Sequence, residues 1–254
     1  MRDRLMHTLY MTQRVVWVTG SGSGMGRASA LRLARRGFAV ALSGRRAEAL
    51  ETMRDEIAAA GGSAIAVPLD VTDSAAVREA HERIRAELGS VTDVVASAGL
   101  NAPNRGWADL TPESFEAIVG TNLTGCLNIA HAVLPGMRER GGGTVVFVSS
   151  FAGWRFGAMS GVAYGASKTA VGNLAESLND EENVNGIRAC HLCPGDVDSD
   201  FLAMRPHVPD AEARSHMMTA DNVADAVEFV VMSPPEVCIN ELVVTPVKKG
   251  VSRA

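Results

Sequence analysis

The chain has 254 residues, 46% of them apolar and 21% charged, enough to bury one large core rather than two small ones. Its net charge is -5 and its 24 lysines and arginines are scattered without a basic stripe, so nucleic acid is not an expected partner. No apolar run reaches the ~18 residues that a bilayer span needs, and the opening MRDRLMHTLYMTQ lacks the apolar centre of a secretory signal, so no membrane partner and a cytoplasmic location are expected. Residues 1–13 show no periodicity and read as a loose extension.

The elements follow in alternation. A strand VVWVTG precedes a helix at 25–36; FAVALSG leads to a helix at 46–60; SAIAVPLD leads to one at 74–88. VTDVVASAG is followed by a long helix at 112–139, which has Thr111 as cap, Pro112 in its first turn and Glu113 beside its positive end. GTVVFVSS then precedes a helix at 163–182, GIRACHLCPG a helix at 221–232, and INELVVTP closes the series. Strands alternating with helices predict an α/β fold with a doubly wound parallel sheet covered on both faces, in a single domain. Residues 198–220, with two prolines and little strand character, read as an inserted loop carrying a short helix, either a lid over a substrate or a surface excursion.

The chain has four cysteines, Cys126, Cys190, Cys193 and Cys238. The spacing in CHLC suits a metal or redox pair, but this stretch reads as a buried strand, where positions three apart face opposite ways, and no second ligand pair exists. A structural role is expected, with no metal. His131 and His191 read as helix-surface and strand residues.

The stretch TGSGSGMGRA lies between the first strand and the first helix. Gly20, Gly24 and Gly26 permit a tight turn there, and the free amides with the helix dipole favour a phosphate, so the turn is expected to cradle a pyrophosphate, with Ser23 and Met25 beside it. The spacing G-x-x-x-G-x-G after Thr19 resembles that of the short-chain dehydrogenase/reductase family, and further motifs run in family order to about Pro246: LDVTD, ASAG, GTNLTG, VSS, YGASK and PGDVDS. Two departures occur. Ala96 and Ser97 stand where the family has two asparagines, and the interval from Ser150 to Tyr164 is one residue longer than the most frequent one; Ser149 is the alternative to Ser150, although SSFAG matches best with Ser150 in the role.

The resemblance implies a Rossmann-like, dinucleotide-binding oxidoreductase domain over 14–254. Asp70 and Val71 would meet the adenine ring, Ala98 and Gly99 would border the cofactor, and Pro194, Gly195, Val197 and Ser199 would grip the nicotinamide end. Moving a hydride to or from a carbinol carbon needs a group that takes or gives the hydroxyl proton, and Tyr164 suits that task. A free phenol ionises only near pH 10, and Lys168, one helical turn later, supplies a positive charge that favours the phenolate. By the resemblance Lys168 also holds the ribose hydroxyls, Ser150 bonds the substrate oxygen, and Asn122 holds a water that relays protons to Lys168.

The expected cofactor is NADP(H) rather than NAD(H). Gly44 stands where an acid would accept the ribose 2′-hydroxyl, and Arg45 and Arg46 follow at a helix start, a poor place for cations unless they grip a 2′-phosphate. The expected substrate is a small alcohol or carbonyl compound. The ending PPEVCINELVVTPV resembles the branch that includes serine 3-dehydrogenase and 3-hydroxy acid dehydrogenases, which points to small polar acids, whereas Phe201, Met204, Met217 and Met218 suit a larger apolar substrate. Trp107, Trp154 and Phe156 read either as pocket lining or as packing residues. The helix at 112–139 is apolar over more of its circumference than one sheet contact needs, and the resemblance implies a homodimer or homotetramer built on it and on 163–182. The rival function is a non-catalytic NADPH sensor, which would have no need of the proton-relay residues.

Overall fold

A computed structural model describes residues 13–248. The loose extension expected at 1–13 lies, apart from Gln13, outside the described residues. Seven parallel strands form the central sheet in the order β3-β2-β1-β4-β5-β6-β9. They are β1 (Val15–Thr19), β2 (Ala39–Gly44), β3 (Ser63–Pro68), β4 (Asp93–Ala96), β5 (Gly143–Val148), β6 (Ile187–Pro194) and β9 (Glu241–Val244). Each of the seven expected strand runs supplies one of them. Chain order reverses between β1 and β4, so the first half winds one way from the sheet centre and the second half the other, which opens a crevice at their carboxyl ends.

Helices cover both faces: α1 (Gly24–Arg35), α2 (Ala47–Ala59), α3 (Ser74–Glu87), α4 (Pro112–Val119), α5 (Gly125–Arg140), the short α6 (Phe151–Trp154), α7 (Val162–Glu182), the short α8 (Ala211–Arg214) and α9 (Ala220–Val231). Because successive strand residues face opposite ways, Val15 and Trp17 join the core under α3, α5 and α7, while Val16 and Val18 join the core under α1, α2 and α9. This two-sided burial is why the strands read as continuous apolar runs rather than alternating ones. The Trp17 indole inside the first core donates to Ser43 Oγ at 2.8 Å.

Three features differ from the sequence reading. The helix expected at 112–139 is interrupted by a π-helical turn at Gly120–Thr124, which places Asn122 at the irregularity. Taken together, Pro112–Arg140 is long and apolar enough to cross a membrane by length and composition, although it packs here on the sheet and on α7. The segment 198–220 is bounded by two elements too short for periodicity to reveal, β7 (Val197–Asp198) and β8 (Met218–Thr219), which pair in parallel, with a 3₁₀ turn at Asp200–Met204 between them.

Candidate active site

The crevice at the carboxyl ends of β1, β4, β5 and β6 holds a cavity of about 240 Å³. Its floor is the turn after β1. Gly20 has φ +65°, and a Cβ there would lie 2.6 Å from the Ser97 carbonyl oxygen after β4; at Gly26 a Cβ would lie 2.4 Å from the Gly20 carbonyl oxygen. Backbone is therefore packed directly on backbone here, and Gly20, Gly24 and Gly26 line the cavity without side chains. Ser23 caps α1 without a side-chain hydrogen bond, and the first turn carries no acidic residue, so the first amides stay available to an anion. The turn fits a dinucleotide pyrophosphate on these grounds.

Tyr164 and Lys168 enter from the first turns of α7 and line the same cavity. The Lys168 ammonium is buried, donates to the Val148 carbonyl oxygen at 2.9 Å and stands 5.8 Å from the centre of the Tyr164 ring. The two serines after β5 divide their tasks. Ser149 is buried and its hydroxyl donates to the Lys168 carbonyl at 3.0 Å, pinning α7 to the sheet. Ser150 caps α6, where its oxygen accepts from the Ala152 amide at 3.2 Å, so the hydroxyl proton remains for another acceptor. Ser149 lines the cavity; Ser150 is half-buried beside it.

Asn122 is fully buried within the π turn. Its Oδ1 accepts from the Leu100 amide at 2.7 Å, and its Nδ2 donates to the Leu100 carbonyl at 3.0 Å and to Ser167 Oγ at 3.1 Å. The carboxamide thus ties the loop after β4 to α7.

Of the other residues singled out in the sequence, Gly20, Ser23, Gly24, Met25, Gly26, Gly99 and Ser199 line the cavity. Ala98 lies just beyond it, its amide bonded to Thr19 Oγ1 at 3.3 Å. Arg45 and Arg46 are exposed after β2, and Arg46 folds back to donate to the Gly22 carbonyl at 3.3 Å, beside the glycine turn. Asp70 follows β3, and its carboxylate accepts from the Thr72 amide at 2.9 Å, a bond that holds its pKa below the ordinary value, aided by the Thr72 hydroxyl and the Arg45 charge against the opposing effect of burial. Val71 is buried under α5. Pro194 ends β6, the Gly195 amide bonds the Val244 carbonyl at 2.8 Å, and Val197 begins β7, buried. Arg45, Arg46, Asp70, Val71, Ala98, Pro194, Gly195 and Val197 do not line the cavity itself.

Of the remaining lining residues, sequence reasoning passed over Val148 and Asp200, named Ser97 only as a departure from the family pattern, and weighed Phe201 and Met204 as contacts for an apolar substrate. Ser97 lines the cavity, as do Asp200, Phe201 and Met204 from the segment after β7. Phe201 and Met204 had an apolar signal; Asp200 had none. The Phe201 ring packs on Tyr164 with centres 5.8 Å apart. Trp107, Trp154 and Phe156 do not line the cavity.

Among the described residues, one set of metal-ligating side chains comes together, His191, Cys193 and Glu241, with ligand atoms within 4.8 Å of one another. The Cys193 sulfur stands 3.4 and 3.5 Å from the two ring nitrogens of His191. Near-equal distances put the sulfur over the face of the ring, off the line of either nitrogen lone pair, so one ion cannot take both atoms as placed. Burial, reinforced by Glu241, pushes the thiol up to about 12, which keeps it protonated at neutral pH.

Residues 14–208 match the protein family described as short chain dehydrogenase. An uncharacterised oxidoreductase of Myxococcus xanthus is 42% identical over 197 residues, 76% of either chain. A sulfoacetaldehyde reductase of Chromohalobacter salexigens is 31% identical over 92% of this chain and 94% of its own. Among solved structures, the closed form of a serine dehydrogenase complexed with NADP+ superposes with a TM-score of 0.85 at 30% identity, covering 94% of this chain and 98% of that one. An alcohol dehydrogenase of Thermococcus sibiricus complexed with 5-hydroxy-NADP gives 0.83 at 29% identity, over 92% and 97% of the two chains.

Proposed function

The chain belongs to the short-chain dehydrogenase family of oxidoreductases, and from that premise we propose that it is an NADP(H)-preferring enzyme that interconverts a secondary alcohol and a carbonyl, with Tyr164 as general acid and base. The observation that carries this reading is the convergence of Tyr164, Lys168 and the bare glycine turn on one cavity.

In this reading the amides of the Gly20–Gly26 turn bind the pyrophosphate, Arg45 and Arg46 grip the 2′-phosphate, Asp70 and Val71 border the adenine, and Ala98 and Gly99 the middle of the crevice. Pro194, Gly195, Val197 and Ser199 hold the nicotinamide end. When bound, the cofactor supplies or accepts the hydride. Tyr164 moves the proton at its hydroxyl oxygen, and the Lys168 ammonium, kept in place by the Val148 carbonyl, holds positive charge beside it. Ser150 directs its free hydroxyl proton to the substrate oxygen, while the bond from Ser149 to the Lys168 carbonyl keeps α7 at the correct depth. Since the Asn122 carboxamide is engaged with Leu100 and Ser167, a water relay to Lys168 would use its main-chain carbonyl. Assembly as a homodimer or homotetramer would cover Phe115 and Leu127, large apolar residues left exposed along α4 and α5.

A screen of alcohols and carbonyl compounds that follows nicotinamide absorbance tests the function. Turnover of some member with NADPH preferred over NADH is expected. Saturable NADPH binding with no turnover of any member would instead support a sensor.

A further inference from the structure

We propose that the substrate of this chain is an uncharged ketone or secondary alcohol with an apolar body, and not a hydroxy or keto acid; this rests on the oxidoreductase reading above. The reacting carbon must lie beside the Tyr164 hydroxyl. Beside Tyr164 the cavity is lined by the Asp200–Met204 turn, whose Phe201 ring packs on Tyr164 and whose Phe201 and Met204 side chains are half-buried there.

A carboxylate or sulfonate buried at that place needs a cationic donor of its own. Lysine and aspartate are the charged residue types lining the cavity. Lys168 already donates to Val148 and is committed to Tyr164 chemistry, and Asp200, exposed and without a cationic partner among the described residues, repels an anion.

The guanidiniums around the mouth are all engaged. Arg105 donates to the Ala102 carbonyl at 2.8 Å, to the Met159 carbonyl at 3.2 Å and to the Met204 carbonyl. It thereby clasps three segments together: its own loop after β4, the loop before α7 and the turn over the cavity. Arg205 is paired with Asp196 at 2.5 Å and Arg214 with Asp198 at 2.7 Å. Arg155 lies over the Trp154 ring at 4.1 Å and does not line the cavity. Arg205 and Arg214 are thus neutralised by carboxylates, and Arg105, whose acceptors are neutral carbonyls, turns its nitrogens to the loops and does not line the cavity.

The clasped loops also carry apolar surface. Trp107 is 87% exposed, Phe156 93% and Met159 67%, all on the two loops that Arg105 joins to the Asp200–Met204 turn. Solvated aromatic and thioether side chains on such loops suit the distal part of an apolar substrate.

The test uses the full chain with NADPH and a series of aliphatic and aryl methyl ketones, each paired with a keto acid of equal length. The expected result is that kcat/KM favours the ketone by about 100-fold or more, the cost of leaving one carboxylate without a partner. Met204→Arg, which adds a guanidinium to the turn, should narrow that gap by raising turnover of the keto acid. A keto acid preferred by the unaltered protein overturns the inference and leaves the oxidoreductase reading standing. Reduction of neither class, with NADPH binding intact by its fluorescence, overturns both.

Discussion

The turn from Gly20 to Ser23 joins β1 to α1, and the connection from Gly195 to Thr219 joins β6 to α9; both border the same cavity, and they are held in different ways. The first is fixed by backbone against backbone: a positive φ at Gly20 and its approach to the Ser97 carbonyl after β4 leave no room for a side chain. The second is fixed by side chains: within itself by the Asp196–Arg205 and Asp198–Arg214 pairs, and from outside by Arg105 of the loop after β4 and by Tyr164 against Phe201. Cofactor recognition, in the reading proposed, rests on the backbone kind of construction and substrate recognition on the side-chain kind. A fold can therefore keep its cofactor turn unchanged while its substrate cover is rebuilt by exchanging a few side chains.

The sharpest way to break this contrast is at Gly20. Gly20→Ala adds a Cβ 2.6 Å from a backbone oxygen at φ +65°, and should cost about 3 kcal/mol of stability along with NADPH binding. Urea unfolding followed by circular dichroism measures the first effect and NADPH fluorescence the second; a variant of unchanged stability would mean that the turn tolerates a side chain. Next in size, replacing Arg45 and Arg46 together by alanine should raise the KM for NADPH at least about tenfold and scarcely change that for NADH, through loss of charge-assisted contacts to the 2′-phosphate. Equal effects on the two cofactors would return both arginines to the solvent.

The side-chain construction is probed at Arg105. Arg105→Met keeps the alkyl stem and removes three donors, and Arg105→Lys keeps the charge with a single ammonium in place of the three-way bridge. Hydrogen exchange of the Asp200–Met204 amides should quicken about tenfold in both variants, while amides of β1 stay protected. Full protection in the lysine variant would show that charge, not bridging, holds the turn.

The smallest expected effect concerns His81, stacked on Trp17 with ring centres 6.2 Å apart. Burial, outweighing Glu82, holds its pKa below the ordinary 6.5. The unfolded chain then binds a proton that the native protein resists, so this contribution to stability is complete above pH 6.5 and is lost as pH falls through the lower native value. His81→Gln should flatten that decline by less than about 1 kcal/mol, measured as denaturant midpoints across the range.

What the sequence disclosed follows the same division. The seven strands were legible because burial on both faces leaves continuous apolar runs, and the glycine turn because its residues dictate its shape. The π turn at Asn122 was hidden, since the apolar pattern of 112–139 runs through it without a break. The pairing of Val197–Asp198 with Met218–Thr219 spans too few residues to show a period. The separate tasks of Ser149 and Ser150 depend on which hydroxyl reaches Lys168, and the clasp at Arg105 depends on carbonyls far along the chain. Nothing in the residues next to either site encodes those partners.

The proposed chemistry is tested most directly by Tyr164→Phe, assayed in parallel for NADPH binding and for turnover of a substrate found by the screen. Binding should stay nearly unchanged while kcat falls by about 100-fold or more, because the hydroxyl that carries the proton is gone and the ring that packs against Phe201 remains. Turnover at the unaltered rate would contradict the account.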